Sequence, residues 1–412
     1  MNNVPNLRFP EFQGEWVRMR LDAFTERVMR KNKNNKSKLP LTISAQYGLV
    51  DQITFFNKVI ASTDMSNYYL LKKGEFAYNK SYSSDYPWGA VKRLDNYEQG
   101  ALSSLYICFA PQDNVVSDFI LQYFESPKWH KGVSEIAVEG ARNHGLLNVS
   151  VQDFFHTYHY VPKDKKEQIK VAKLLMLLDE RIATQNKIIE DLKKLKCAII
   201  DEVFCSPKQR EPNRRFEGCS EPLSTYKMKD FCFRITDKNK DNKCSLVLTI
   251  AAQYGLVDQE SFFNKSVASE NLTGYYILNK GDFAYNRSYS SGYAWGAVKR
   301  LNNYSEGVLS TLYICFRADE SIVNSDYLSY YFESSKWHKE VSDISGEGAR
   351  NHGLLNISVS DYFNTEHRFA TMIEQKRIAS MINAIVIKEQ NAIKLVKQYS
   401  KQKQYLLRQM FI

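Results

Sequence analysis

The sequence predicts an α+β chain in which two similar mixed α/β domains are each followed by one long helix. Three observations carry that expectation. The first is self-similarity, because Leu41–Phe109 aligns without a gap on Leu248–Phe316 at an offset of 207, with 48 identities in 69 positions. LTISAQYGLVDQ is matched by LTIAAQYGLVDQ, and AYNKSYSSDYPWGAVKRL by AYNRSYSSGYAWGAVKRL. The second is a seam of apolar residues at alternating steps of four and three between Glu167 and Phe204. The third is composition: 43% hydrophobic and 13% aromatic residues supply enough apolar surface for folded cores.

In chain order, the expected divisions are residues 1–162 for the first domain and 163–204 for the first helix. A linker at 205–222, the second domain at 223–370 and the second helix at 371–412 follow. Within the first domain GEFAYNKSY reads as a strand, with Phe76 and Tyr78 on one face and Ala77 and Asn79 on the other. ALSSLYICFA reads as one more fully buried strand, so that Phe76, Tyr78, Leu105 and Phe109 are explained by packing. SDFILQYFESPKWHKGV reads as a helix capped by Ser117, with Phe119, Tyr123 and Phe124 inward. VEGARNHGLLN reads as a Gly-rich loop, and the polar, Pro-bearing CSPKQREPNRRFEGCSEP as the linker. KNKNNKSK (31–38) and DKNKDNK (237–243) occupy matching places; they read as solvated loops, or as basic loops touching phosphates.

The first helix places Val171, Leu175, Leu178, Ile182, Ile189, Leu192, Ile199 and Val203 on its seam, with Gln185 and Lys196 in the gaps. Ile378, Ile382, Ile385, Ala392, Val396, Tyr399, Leu406 and Met410 repeat it, interrupted by Glu389 and Lys403. At about 1.5 Å per residue the 38 residues from Glu167 to Phe204 span roughly 55 Å. Such a seam needs a partner helix. Either a second chain supplies it, or the repeat within this chain does.

Lys and Arg number 56 against 46 Asp and Glu, for a net charge of +10, a balance that fits a polyanionic partner such as nucleic acid. No leader pattern opens the chain and no apolar run is long enough to span a membrane, so a cytoplasmic protein is expected. The seven cysteines are scattered, with no C-x-x-C pair, and read as free thiols rather than a zinc module.

No enzyme motif is visible: no G-x-x-x-x-G-K-S/T loop, no G-x-G-x-x-G after a strand, no Asn/Asp-Pro-Pro-aromatic tetrapeptide. His130 and His144, with His338 and His352, repeat in shared surroundings, but not in a metal-ligand frame. What remains is a set of polar and aromatic residues present in both copies. In the first these are Gln46, Tyr47, Lys80, Tyr82, Ser83, Trp88, Lys92, Arg93, Arg142, Asn143 and His144. In the second they are Gln253, Tyr254, Arg287, Tyr289, Ser290, Trp295, Lys299, Arg300, Arg350, Asn351 and His352. Arg and Lys suit guanine edges or phosphates, Asn and Gln suit adenine edges, and hydroxyls bind phosphates, so these are candidate DNA contacts. Duplication alone would also preserve them.

The chain resembles, over essentially its full length, the specificity subunit of type I restriction–modification enzymes. PNLRFPEFQGEW looks like the family's entry segment, and Y-N-K/R-S followed by S-x-L-Y-I-C-F resembles the body of its target-recognition domains. EQIKVAKLLMLLDERI and EQKRIASMINAIVIKE resemble its helical regions, although the second copy has no Leu-Asp to match Leu178 and Asp179. The resemblance implies a non-catalytic subunit that reads double-stranded DNA. Its two helices would lie antiparallel as a spacer, giving a pseudo-two-fold axis, and would dock two modification (methyltransferase) subunits. S-adenosylmethionine would belong to those subunits, and ATP and Mg to the restriction and motor subunits, leaving this chain with no cofactor or metal. Two similar domains about such an axis would read a nearly palindromic, bipartite site. A stand-alone DNA-binding or regulatory protein, a nuclease using the repeated histidines and a coiled-coil scaffold stay open as alternatives.

Overall fold

The computed structural model describes residues 3–137, 145–265, 271–290, 292–345 and 353–412. The chain divides into two compact units, one of Met1–Asn186 with Ile393–Ile412 and one of Lys187–Ala392. Each unit therefore takes one globular body and a length of both long helices.

The first unit runs β1 (Val17–Arg20), β2 (Thr25–Arg27), β3 (Pro40–Ser44), β4 (Gly48–Asp51), α1 (Gln52–Phe56), β5 (Tyr69–Lys72) and β6 (Phe76–Asn79). It continues through β7 (Ala90–Arg93), β8 (Gln99–Leu102), β9 (Ile107–Pro111), α2 (Ser117–Glu125), α3 (His130–Ile136), α4 (Val151–His156) and β10 (Tyr158–Val161), then enters α5 (Lys165–Val203). Its sheets are β2-β9-β6-β7, β4-β3-β8-β5 and the pair β1-β10. Pairing is antiparallel except between β3 and β8.

Strand β6 explains why there are two cores. Phe76 and Tyr78 point into one, where Phe76 stacks on Phe109 at 5.4 Å and Tyr78 on Phe154 at 4.6 Å. Ala77, one step out of phase, points into the other with Leu41, Leu71 and Cys108. ALSSLYICFA is not one strand. β8 and β9 belong to different sheets, and the turn at Ser103–Tyr106 that separates them leaves Leu105 75% exposed. Its counterpart Leu312 is 66% exposed, so neither is a core residue. Ser117 is not the cap of α2 either, since Val116 precedes the helix and the Ser117 hydroxyl accepts from Arg93 Nη1 at 3.0 Å.

The second unit repeats the order as β11 (Ser224–Lys227), α6 (Met228–Phe231), β12 (Cys232–Arg234), β13 (Leu248–Ala251), β14 (Gly255–Asp258), α7 (Gln259–Phe263), β15 (Tyr276–Asn279) and β16 (Phe283–Asn286). Then come β17 (Ala297–Arg300), β18 (Glu306–Leu309), β19 (Ile314–Ala318), α8 (Ser325–Tyr331), α9 (His338–Ile344), α10 (Val359–Phe363), β20 (Glu366–Phe369) and α11 (Met372–Gln409). The stacked pairs recur, Phe283 on Phe316 at 5.3 Å and Tyr285 on Tyr362 at 4.6 Å.

The helices run antiparallel within each unit. In the first, Leu175 and Leu178 share a core with Leu406 and Met410, and Lys403 Nζ donates to Asp179 Oδ1 at 2.5 Å. In the second, Ile200 and Val203 share a core with Ile378 and Ile382. Every seam position is buried or half-buried, including the polar Gln185, Lys196, Glu389 and Lys403.

The helix starts are wired to the bodies that precede them. Glu167 is buried and takes both prongs of Arg8, Nε and Nη2, at 2.8 Å, plus the Trp16 indole N–H at 3.1 Å. Glu374 takes Arg215 at 3.1 and 2.6 Å. The next residues, Gln168 and Gln375, accept from the backbone N–H of Val116 and Asn324 and donate to the carbonyls of Pro162 and Ala370. The polar run at 31–38 is organised in the same spirit. Asn32 is fully buried, donating to Ser37 and Met65 carbonyls and accepting from Ser37 N–H, so the base of the loop is pinned while Lys33, Asn34, Lys36 and Lys38 stay exposed. Asn239 does the same around Cys244.

Candidate nucleic-acid interface

The candidate contacts fall on three segments of each body. Gln46 and Tyr47 form the turn between β3 and β4, where Tyr47 is 68% exposed and its N–H donates to Ser44 Oγ. Tyr47 rests against Phe55 of α1, which contacts Phe56; Asp51 caps this short helix by accepting from Ile53 N–H. Gln253 and Tyr254 repeat the arrangement against Phe262 and Phe263. Each body thus displays three aromatic rings on a capped turn, a surface able to stack on or wedge against bases.

The second segment joins β6 to β7. Ser83 is exposed in a turn with Tyr86, Tyr82 and Trp88 are half-buried against the core, and the Tyr78 hydroxyl donates to the Trp88 carbonyl at 2.9 Å. Ser290, Tyr289 and Trp295 hold the same places in the second unit. Gly89 fixes this turn: at φ +80° a Cβ would lie 2.2 Å from the Asn79 carbonyl oxygen, and Gly296 is placed likewise. The Tyr82 N–H donates to the Gly145 carbonyl, and the Leu147 N–H to that of Lys80. Arg142, Asn143 and His144, and Arg350, Asn351 and His352, lie outside the described residues.

The third segment is β7 and its repeat, where three of the four cations are already engaged. Arg93 holds Asp95 at 2.6 Å and Asp118 at 2.7 Å; Arg300 holds Asn302 at 2.8 Å and Asp326 at 2.6 Å. Lys92 is only 9% exposed, with Nζ 2.6 Å from Glu125 Oε1. Lys80 donates to the Val149 carbonyl at 3.4 Å, and Arg287 to those of Ile357 and Leu312. Lys299 has no such bond among the described residues, and burial pushes its pKa below the usual lysine value. Gln46 and Lys92 meet Asp85, Tyr86 and His130 on a cleft of about 600 Å³ within the first unit.

Sequence reasoning did not find the roles of the carboxylates and amides set into the helices, Glu167, Gln168, Asp179, Glu374 and Gln375, which tie each body to α5 or α11. The sign was available: a Glu-Gln pair at the same offset beside an apolar seam. It also passed over His159 and His367. Each sits between a tyrosine hydroxyl (Tyr123 at 2.9 Å, Tyr331 at 3.0 Å) and a threonine hydroxyl, and burial pushes its pKa down to about 3. His130 and His338 are half-buried beside Trp129 and Trp337, which lowers their pKa as well. Among the described residues no three His, Cys, Asp or Glu gather as a metal site, and no helix is long and apolar enough to cross a membrane.

No family model matches the sequence, and no curated protein does. Solved structures do. The S subunit of a type I restriction–modification system from M. genitalium matches with a TM-score of 0.55 at 12% identity, covering 99% of each chain. A chain from a structure describing assembly and conformational transition of the type I R-M system matches at 0.52 and 14%, over 95% of this chain and 96% of that one. The HsdS subunit from Thermoanaerobacter tengcongensis aligns at 0.45 and 14%, over 96% of each. Two globular bodies, each followed by a long helix, give this chain the fold of the type I restriction–modification S subunit, from end to end.

Proposed function

We propose that the chain is the DNA-recognition subunit of a type I restriction–modification enzyme, without catalysis of its own. The observation that carries this reading is the S-subunit fold over nearly the whole chain combined with an internal duplication. In this reading each body reads one half of a bipartite site. The exposed Gln46, Tyr47 and Ser83, their counterparts Gln253, Tyr254 and Ser290, and Arg142 and Arg350 supply the contacts. The long helices act as a spacer and dock two methyltransferase subunits, which hold S-adenosylmethionine. Apolar side chains on the outer faces of the helices suit such docking: Ile169 and Leu177 in the first unit, Ile373 and Ile387 in the second, all exposed.

Because the two bodies are so alike, the two half-sites should be reverse complements or nearly so. Sequencing the methylated bases of cells that carry this chain with its methyltransferase tests function and symmetry together. A bipartite, near-palindromic motif is expected; no motif would overturn the function, and two unrelated half-sites would overturn only the symmetry.

A further inference from the structure

The two bodies differ in how one cluster of charges is closed, and the difference leaves a cation over. In the first unit the cluster holds Lys92 and Lys403 against Glu125 and Asp179. Lys92 Nζ lies 2.6 Å from Glu125, and Lys403 Nζ 2.5 Å from Asp179. Asp179 also accepts from Gln122 at 2.9 Å. In the second unit Val386 stands where the repeat has Asp179, and Tyr330 where it has Gln122. Lys196, the counterpart of Lys403, has turned to Glu333, the counterpart of Glu125, at 3.0 Å. Glu389 is new there, but lies 4.0 Å from the equally new Lys193. Asp85, which lines the cleft with Lys92, is replaced by Gly292.

Lys299 is the group this exchange strands. It has no hydrogen bond or ion pair among the described residues, and its Nζ lies 6.0 Å from the centre of the Tyr293 ring. It is half-buried, so its charge is poorly solvated, and Glu333, whose charge still attracts it, is bonded to Lys196 instead. A half-buried cation that shares its only such carboxylate with a second lysine among the described residues is costly unless a further anion meets it.

Resting on the DNA-reading function proposed above, we propose that Lys299 is a DNA-phosphate contact of the second body, with no equal in the first because Glu125 holds Lys92. The halves of the interface then differ in affinity while sharing their base-reading surfaces. A phosphate contact adds about 0.9 to the log–log salt slope of binding, whatever the base sequence.

The test is binding of the full chain to a random-sequence duplex across a range of salt. Lys299→Gln should lower the slope by about 0.9, so that wild type loses roughly 3- to 4-fold more affinity than the variant over a fourfold rise in salt. Lys92→Gln should leave the slope alone, and Glu125→Gln, by releasing Lys92, should raise it by a similar amount. Val386→Asp should draw Lys196 away, return Glu333 to Lys299 and reproduce the Lys299→Gln slope. DNA binding with an unchanged slope in Lys299→Gln overturns this proposal alone, including the case where that variant instead loses capture of a methyltransferase subunit. A wild-type chain with no salt-dependent DNA binding overturns the functional reading with it.

Discussion

Arg8 with Glu167 and Arg215 with Glu374 form the same two-pronged ion pair in the two units, whereas Asp179 has only Val386 in the matching place. The start of each long helix has therefore kept its wiring through the duplication, and the middle has not. The difference lies in what each charge is for. At the helix start a buried carboxylate ties an entry segment to a helix, so its partner must come from that segment. Further along, the carboxylates neutralise neighbouring cations, and any nearby cation will serve. Glu75 and Asp282 make the same point. They occupy one place in the repeat, yet Glu75 is met by Arg30 at 2.6 Å and Asp282 by Arg317 at 2.6 Å, and the sequence has Asp237 and Ala110 at the exchanged positions.

The comparison can be broken most forcefully at the helix starts. Arg8→Met and Arg215→Met each strand a carboxylate buried to within a few per cent, and each should cost about 3–5 kcal/mol in denaturant unfolding of the full chain. Unequal costs would show that the two junctions are not equivalent. Next come His159 and His367, held neutral by burial. Their folded pKa lies below the unfolded value, so the unfolded chain binds more protons between about pH 3 and 6.5. Stability should fall as pH drops through that window, and a His159→Gln, His367→Gln chain should show a flatter profile in melting temperature against pH.

Smaller effects come from the exchangeable pairs. Arg30→Ala should cost roughly 1 kcal/mol, since Arg30 is partly exposed, and Ala110→Arg, which copies the second unit, should restore it. A double-mutant cycle with no coupling would show that the two arginines do not serve the same carboxylate. Asp179→Val, which converts the first unit's cluster to the second's, should cost about 1 kcal/mol or less as Lys403 turns to Glu125. Its informative readout is the salt slope of DNA binding, which should rise as Lys92 is released.

The duplication, the heptad seam and the two-faced strand at Phe76–Asn79 were legible in the sequence because each is a periodicity. The errors fell where structure depends on something no period records. ALSSLYICFA looks like one strand because nothing in Ser103–Tyr106 is a glycine or proline, yet the chain turns there to change sheets and puts Leu105 outside. KNKNNKSK is solvated at Lys33, Asn34, Lys36 and Lys38 as its composition suggests, but not at Asn32, which is buried because backbone groups of Ser37 and Met65 satisfy its amide. At the candidate interface, residue type pointed to Lys92 and Arg93, but only geometry reveals that carboxylates already hold them. Copy-to-copy identity could not separate the two cases. Both kinds of residue survive a duplication equally well.

Strand β6 sends Phe76 and Tyr78 into one core and Ala77 into another. A wall shared by two rooms cannot be removed from one alone. Loosening either core frees the strand on which the other is built, so the body should open in a single cooperative step. In native-state hydrogen exchange the β6 amides should be the last in their unit to exchange, through the same opening as those of its neighbours β7 and β9. The candidate interface on the turns around this strand would then inherit its rigidity from the most slowly opening part of the body.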